Sequence, residues 1–347
     1  MEKLRIFADR SCLPAGTRHV VLLFPFWGVI PENSGDKDAG RFDDYARRGG
    51  EFFELAPDLA SADAALLPFE WRPESPEHVA QAQRLAAEAQ RQGKKVIVFF
   101  NNDSAEPIPI GNALIFRTSF FRSTRRPNEW AVPGWSVDFL PRYLGGKLPV
   151  REKEAAPVVG YCGYVDYDFA TPKSLLMYLA RRFSGREIKV GAALRGRALR
   201  ALRRSGGVDV NFVYRTDFSG DCDQALREAY VRNIVDSDYA LVTRGAGNFS
   251  YRLYEVMSCG RIPVLVDTDC VLPFDRFIDW KKFCVWVDAS ELDLLGERVI
   301  AFHEKISPEE FRGLQVNIRR LYEEWLSPVG FHRNLWRCLT EGEVHAA

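Results

Sequence analysis

The chain has 347 residues, 46% hydrophobic and 27% charged, an ordinary globular balance with length enough for two domains that each bury a core. Lys plus Arg and Asp plus Glu number 47 each, so the net charge is zero and the global basic field of a nucleic-acid binder is excluded. The start, MEKLRIFADR, lacks a basic region followed by an apolar core, and the longest apolar run, HVVLLFPFWGVI, is too short for a bilayer and is broken by Pro25, so neither a secretory signal nor a transmembrane segment is expected.

In chain order, LRIFAD (4–9) and HVVLLFPFW (19–27) read as strands, RFDDYARRGGEFFEL (41–55) as a helix and AALLPFEW (64–71) as a strand. PEHVAQAQRLAAEAQRQG (76–93) is a helix closed by Gly93, followed by strands in KKVIVFFNND (94–103) and NALIFRTS (112–119). A proline-, glycine- and charge-rich stretch at 141–157 is the linker candidate. The pattern then restarts with the strand VVGYCGY (158–164), the helix SLLMYLARRF (174–183), the strand IKVGAAL (188–194) and a basic helix with five arginines at 195–204. Strands follow in VDVNFVY, ALVT, RIPVLVD and FCVWVD, and the tail from 308 is helical. Buried apolar strands alternating with helices predict parallel sheets covered on both faces. The expected fold class is therefore α/β, two Rossmann-like domains facing a cleft: residues 1–150, residues 151–325, and a tail at 326–347 that packs back on the first domain.

Seven scattered cysteines, Cys12, Cys162, Cys222, Cys259, Cys270, Cys284 and Cys338, form no C-x-x-C pair, which points to free thiols in a reducing, cytoplasmic setting. The five histidines show no metal-ligand spacing. A second basic run, RSTRR, occupies 122–126.

The informative segment is TRGAGNFSYRLYE, 243–255, between a strand and VMSCGRIPVLVD. It reads as strand, glycine loop, helix and strand. Arg252 falls in the first helical turn, where the macrodipole favours acidic residues, so an anion bound beside it would account for its position. Gly245 and Gly247 allow close approach of the backbone, the helix start offers free N–H groups, Ser250 adds a hydroxyl and Arg252 a forked cation suited to phosphate. Glu255 is three residues further along the same helix face, where it can accept hydrogen bonds from a ribose diol. The set describes a nucleoside diphosphate. Two alternatives stay open: an ordinary exposed Arg252–Glu255 helical pair, and an NAD site, because GAGNFS is G-x-G-x-x-S and Asp267 ends the next strand twenty residues after Gly247.

From Ala240 to Phe274 the chain resembles the exostosin family, glycosyltransferase family 47, through Arg244, Gly245, Ser250, Arg252, Glu255, Gly260, Ile262, Pro263, Val264, Leu272, Pro273 and Phe274. The resemblance implies a type-B glycosyltransferase that binds a nucleotide sugar, a UDP-sugar foremost, in its second domain. Transfer to a glycan or glycoconjugate acceptor would invert the anomeric centre and require no metal or other cofactor. By the same resemblance Arg252 is the diphosphate ligand, Glu255 the ribose ligand and Arg244 a second diphosphate or sugar contact. Many retaining type-B enzymes carry a glutamate eight residues before the ribose-binding one; here that position is Gly247. Implied partners are the donor and acceptor, with no nucleic acid, and a cytoplasmic enzyme of envelope-glycan synthesis, peripherally membrane-associated at most, is the implied setting. A catalytically inactive carbohydrate-binding relative is the third reading.

An inverting transfer needs a base, expected at the C-terminal end of a first-domain strand: Asp103 first, then Glu70, then Asp9. Gly160 and Gly163 are expected near the donor, and Trp27, Trp71, Trp130 and Trp135 are candidates for sugar stacking or core packing. The D-x-D of Asp267 and Asp269 resembles a metal site, but DYD at 166 and DCD at 221 repeat the form, and a turn facing the cleft is the preferred reading.

Overall fold

The computed structural model describes residues 3–32, 35–165, 176, 190–215 and 223–344. Within them, two wholly parallel sheets lie one after the other in the chain. The first comprises β1 (Leu4–Phe7), β2 (Phe53–Leu55), β3 (Ala64–Leu66), β4 (Lys95–Phe100), β5 (Ala113–Arg117) and β6 (Glu129–Ala131), in the order β2-β1-β3-β4-β5-β6. The second comprises β7 (Val158–Tyr164), β8 (Asp209–Arg215), β9 (Tyr239–Val242), β10 (Ile262–Asp267) and β11 (Val285–Asp288), in the order β11-β10-β9-β7-β8. Central strands are mainly apolar because both their faces are covered: ALIFR of β5 and IPVLVD of β10 are buried at every position, their terminal Arg117 and Asp267 included, whereas the edge strand β8 is half exposed. Both sheets are Rossmann-like. Strand order reverses between β1 and β3 in the first and between β7 and β9 in the second, and such switch points open a crevice beyond the strand C-termini.

The helix Pro76–Arg91 shows how local sequence builds a layer. Ser75 caps it, Pro76 stands at its first position, and His78, Ala82, Leu85, Ala86 and Ala89 bury one stripe against the sheet. Gly93 follows at φ +67°, a left-handed turn that costs glycine little.

Three expected elements differ. Residues 19–27, read as a strand, form a 3-10 turn (Val21–Leu23) and a short helix (Phe24–Trp27), with Pro25 supplying a helix start rather than a strand interruption. Of 41–55, only Asp43–Arg48 is α-helical, and Phe53–Leu55 is the edge strand β2. Residues 188–194 were expected as a strand, but from Val190 onward the chain is helix, to Arg204. VGAAL is as compatible with a buried helical face as with a strand, and periodicity over so short a run does not separate them. The strand β6 was not anticipated, and the helix Phe139–Tyr143 runs into the linker candidate. Apart from Leu176 and Asp223, the segments SLLMYLARRF, DYD and DCD, Cys222 included, lie outside the described residues. The other six cysteines are buried free thiols. No helix of the described residues is long and apolar enough to cross a membrane.

The C-terminal helices return to the first sheet's side. Ser307 and Glu310 form a reciprocal capping box for the helix Pro308–Leu321, whose Arg319 makes a bidentate pair with Asp138 at 2.6 and 2.7 Å. The Trp135 indole donates to the Leu326 carbonyl at 3.1 Å, and His332, in the helix Pro328–Val344, stacks on Tyr45 at 3.9 Å between ring centroids. His332 Nδ1 lies 2.7 Å from the Pro328 carbonyl while Nε2 has no partner, and burial pushes its pKa down to about 4. The unfolded chain therefore binds this proton below about pH 6.5 and the folded chain only near 4, so stability falls as pH drops through that window. A loss of about 2 kcal/mol between pH 7.5 and 5 is expected from this group. Urea denaturation of wild type and His332→Phe at both pH values checks it: the variant should show a clearly smaller loss, and equal losses would refute the assignment.

Candidate active site

The helix Tyr251–Ser258 starts abruptly from the loop that follows β9. Ser250 occupies the N-cap with extended backbone (φ −146°, ψ 123°), and its side chain makes no capping bond. The first-turn N–H groups and the Ser250 hydroxyl are thus not consumed by the cap. Arg252 reaches across the switch-point crevice, where its Nη2 donates to the Cys162 carbonyl at 2.7 Å, at the end of β7. Its guanidinium lies 4.4 Å from the Tyr161 ring centroid and 5.1 Å from that of Tyr230. A Cβ on Gly163 would stand 2.8 Å from Arg252 Nη2, so this glycine leaves the room that the guanidinium uses.

Glu255 does not form the helical pair with Arg252 that spacing allowed. It is buried at 6% exposure, with Oε1 accepting from Arg227 Nη2 at 3.1 Å and Oε2 from the Tyr230 hydroxyl at 2.5 Å. The same Arg227 nitrogen reaches Asp38 Oδ1 at 3.2 Å, and Asp38 accepts from the Val137 N–H at 3.1 Å. Arg227 therefore joins a carboxylate of the first half to one of the second at the floor of the cleft. Burial raises the Asp38 pKa and Arg227 opposes that rise. The arginine and tyrosine come from the helix Gln224–Val235, three residues apart on one face. A charged residue inside an otherwise apolar stripe was the available signal for them.

A cavity of about 450 Å³ opens above this floor, lined from the second half by Gly163, Arg195, Arg215, Gly245, Ser250, Arg252 and Glu255 and from the first by Lys37, Asp38, Arg41 and Asp103. Six basic and three acidic side chains line it. Arg252, Arg195 and Arg215 donate to carbonyls, those of Cys162, Tyr164 and Leu226, and among the described residues none of the three forms an ion pair. Positive charge left uncompensated in a concave site favours an anionic ligand.

Among the residues expected here from sequence, Gly163, Gly245, Ser250, Arg252, Glu255 and Asp103 line the cavity, whereas Arg244, Gly247 and Glu70 do not. Arg244 turns back on its own loop: Nη2 donates to the Ala246 carbonyl at 2.8 Å and the guanidinium lies 5.8 Å from the Phe121 ring. Gly247 donates its N–H to Asp103 Oδ1 at 3.1 Å, and a Cβ there would come within 2.6 Å of the same oxygen. This glycine lets the loop after β9 dock on the opposite wall. Glu70 accepts from Asn101 Nδ2 at 2.6 Å, and burial raises its pKa. Asp9 is spent on a turn, accepting from the Ser11 N–H at 2.8 Å and hydroxyl at 2.6 Å. Gly160 packs against Ser237, whose Oγ would stand 2.3 Å from an added Cβ. Trp71, Trp130 and Trp135 are core residues, and Trp27 lies under Arg10 at 4.9 Å; none lines the cavity.

The Asp267 and Asp269 carboxylates are engaged by the RSTRR run. Arg122 Nη2 donates to Asp267 Oδ2 at 2.8 Å, the Ser123 N–H to Asp269 Oδ2 at 3.1 Å, and Arg125 binds Asp275 through both oxygens at 2.9 and 2.7 Å. Phe121 and Cys270 add an antiparallel bridge. Asn248, 1% exposed, continues this rail: its N–H donates to Ser119 Oγ at 2.9 Å and its Nδ2 to the Phe120 carbonyl at 3.0 Å. One basic run thus fastens the two halves along the edge of the cleft.

Residues 201–300 match the family model of the Exostosin GT47 domain. Over 112 residues the chain is 39% identical to Exostosin-1 of Drosophila melanogaster, a match spanning 31% of this chain and 14% of that protein. Over 118 residues it is 26% identical to the Exostosin-1 homolog of Caenorhabditis elegans, 34% of this chain and 30% of the other. The matches thus span under a third of either relative. A glycosyltransferase from Rickettsia africae ESF-5, of known crystal structure, aligns over 99% of both chains with a TM-score of 0.37 and 10% identity.

Proposed function

We propose, with the Exostosin GT47 domain match over residues 201–300 as premise, that this chain is a glycosyltransferase transferring a sugar from a nucleoside-diphosphate sugar to a glycan or glycoconjugate. The domain match supports transferase activity. The finer reading rests on one observation, the arginine-rich cavity at the β7/β9 switch point into which Gly245, Ser250 and Arg252 converge. Arg252, Arg195 and the N–H groups of the helix Tyr251–Ser258 would neutralise a diphosphate as it leaves, the charge stabilisation such a reaction requires. Each oxygen of Glu255 keeps a lone pair beyond its bonds to Arg227 and Tyr230, available to a ribose hydroxyl. Arg244 is reassigned to shaping the loop. With arginines supplying the positive charge, the reaction would run without an essential metal, and Asp103 is the base that permits attack with inversion.

Asp103 is preferred over Asp38 on geometry. Asp38 has Oδ1 committed to Arg227 at 3.2 Å and to the Val137 N–H at 3.1 Å, and Oδ2 faces Arg41 at 3.8 Å, so its oxygens are already occupied. Asp103 is exposed to the cavity and gives one oxygen to a backbone N–H, leaving the other for an acceptor hydroxyl. The cytoplasm is the proposed setting, and a UDP-sugar the proposed donor.

Calorimetric titration with UDP, GDP and NAD in the presence of chelator tests this reading. UDP or GDP should bind, and Arg252→Ala should weaken that binding by one to two orders of magnitude, the loss of a charge-assisted contact of roughly 1.5–3 kcal/mol. Binding of NAD instead, or nucleotide binding only with added manganese, would overturn the proposal.

A further inference from the structure

We infer that Tyr251, with Phe249 beside it, is the platform on which the acceptor's sugar ring stacks, a subsite of the same cavity that faces Asp103. This rests on the nucleotide-sugar reading above. Tyr251 is 47% exposed, an unusual state for a large aromatic side chain at the mouth of a cavity. It precedes Arg252 on the helix, so the two side chains leave the axis about 100° apart. Arg252 turns to β7 and the anion site, while Tyr251 turns to the first half of the chain.

The ring is deliberately seated there. A Cβ on Gly134 would lie 3.0 Å from Tyr251 Cδ1 and 3.1 Å from Cγ, so Gly134 gives the ring its resting surface. Phe249 lies 5.5 Å away between ring centroids at 58° and lines the same cavity. The charged groups that act on the Tyr251 hydroxyl are Arg41, Asp38, Asp103 and Glu70, all from the first half. An aromatic face that shares its cavity with the carboxylates of Asp38 and Asp103 and the guanidinium of Arg41 is complementary to a pyranose. The sugar's C–H face covers the ring, and its equatorial hydroxyls meet the polar rim. A planar side chain with two rotatable bonds also loses little entropy on binding. The position sets the acceptor beside the anion site and under Asp103, where its hydroxyl can reach that carboxylate. The four tryptophans expected for this task from sequence lie elsewhere, and the residue that the cavity offers is a tyrosine inside the donor motif itself.

The probes are p-nitrophenyl glycosides of glucose, galactose, N-acetylglucosamine, xylose and glucuronic acid, observed by saturation-transfer NMR with UDP present. At least one should bind wild-type protein. Tyr251→Ala should weaken it about tenfold, whereas Tyr251→Phe should stay within about twofold. Gly134→Ala, which crowds the ring without removing it, should fall between them. UDP affinity should hold within about twofold in all three, since the ring is not an anion contact. The inference is overturned if Tyr251→Ala binds glycosides like wild type, if it loses UDP to the same degree, or if no glycoside binds wild-type protein that binds UDP. Failure of UDP itself to bind would overturn the nucleotide reading, while a glycoside still held through Tyr251 would leave the platform standing.

Discussion

Arg227→Ala is expected to lower the unfolding free energy by about 3–5 kcal/mol at neutral pH, the usual cost of stripping one partner from a buried ion pair. Arg227 is 6% exposed, and its Nη2 serves Asp38 at 3.2 Å and Glu255 at 3.1 Å, with the guanidinium 4.6 Å from the Phe139 ring. Removing it leaves buried Glu255 without its ion-pair partner and Asp38 with Arg41 alone, at 3.8 Å. Burial already raises the Asp38 pKa against the pull of Arg227, and without that guanidinium the folded value would rise further above the unfolded one. The carboxylate contribution to the variant's stability would improve as pH falls toward 5, opposite in sign to that of His332, so the variant should lose less stability than wild type between pH 7.5 and 5. Urea denaturation at pH 7.5 and 5 measures both. A triple variant, Arg227→Met with Asp38→Asn and Glu255→Gln, removes the charges together and should recover a large part of the loss. A deficit under about 1 kcal/mol in Arg227→Ala would mean that water reaches the floor of the cleft and that the ion triad is not buried in solution.

Asp103→Asn should lower the transfer rate by about 10²–10⁴-fold with little change in donor affinity. The Gly247 N–H is received by Asp103 Oδ1, and an asparagine carbonyl can accept the same bond, so the donor loop stays docked while the proton acceptor is lost. Asp103→Ala behaves differently. It frees Gly247, and nucleotide affinity should fall along with the rate. Single-turnover kinetics with titrated donor separates the two, and the acidic limb of the rate–pH profile should vanish in the asparagine variant. Undiminished turnover in Asp103→Asn would remove the assignment and move attention to Glu70 and Asp38 among the first-half carboxylates. Glu70 would then be the stronger candidate, because burial raises its pKa and a single amide holds it.

The alternation of apolar strands and helices, the doubly wound class, the helix Pro76–Arg91 and the place of Arg252 in the first helical turn after β9 were all legible in the residues. They depend on local pattern: period, caps, glycine placement and one arginine in a first turn. The resemblance carried by 240–274 rests on the same local run, and the domain match across 201–300 agrees with it. The segments misread as elements, 19–27 and 188–194, are short apolar runs whose periodicity serves a helix as well as a strand. What those residues do beside one another was decided only in three dimensions. Spacing put Glu255 on the face of Arg252, but a buried carboxylate takes the strongest desolvated partner available, and that is Arg227, twenty-eight positions away in the chain. Likewise RSTRR, a basic run by sequence, meets Asp267, Asp269 and Asp275 about 150 residues later, and its arginines become the clamp along the edge of the cleft. Local sequence determines which groups exist and which secondary element bears them. Which charges neutralise each other, and which are left to bind a ligand, depends on long-range burial, because only the folded chain removes the water that would otherwise solvate them all.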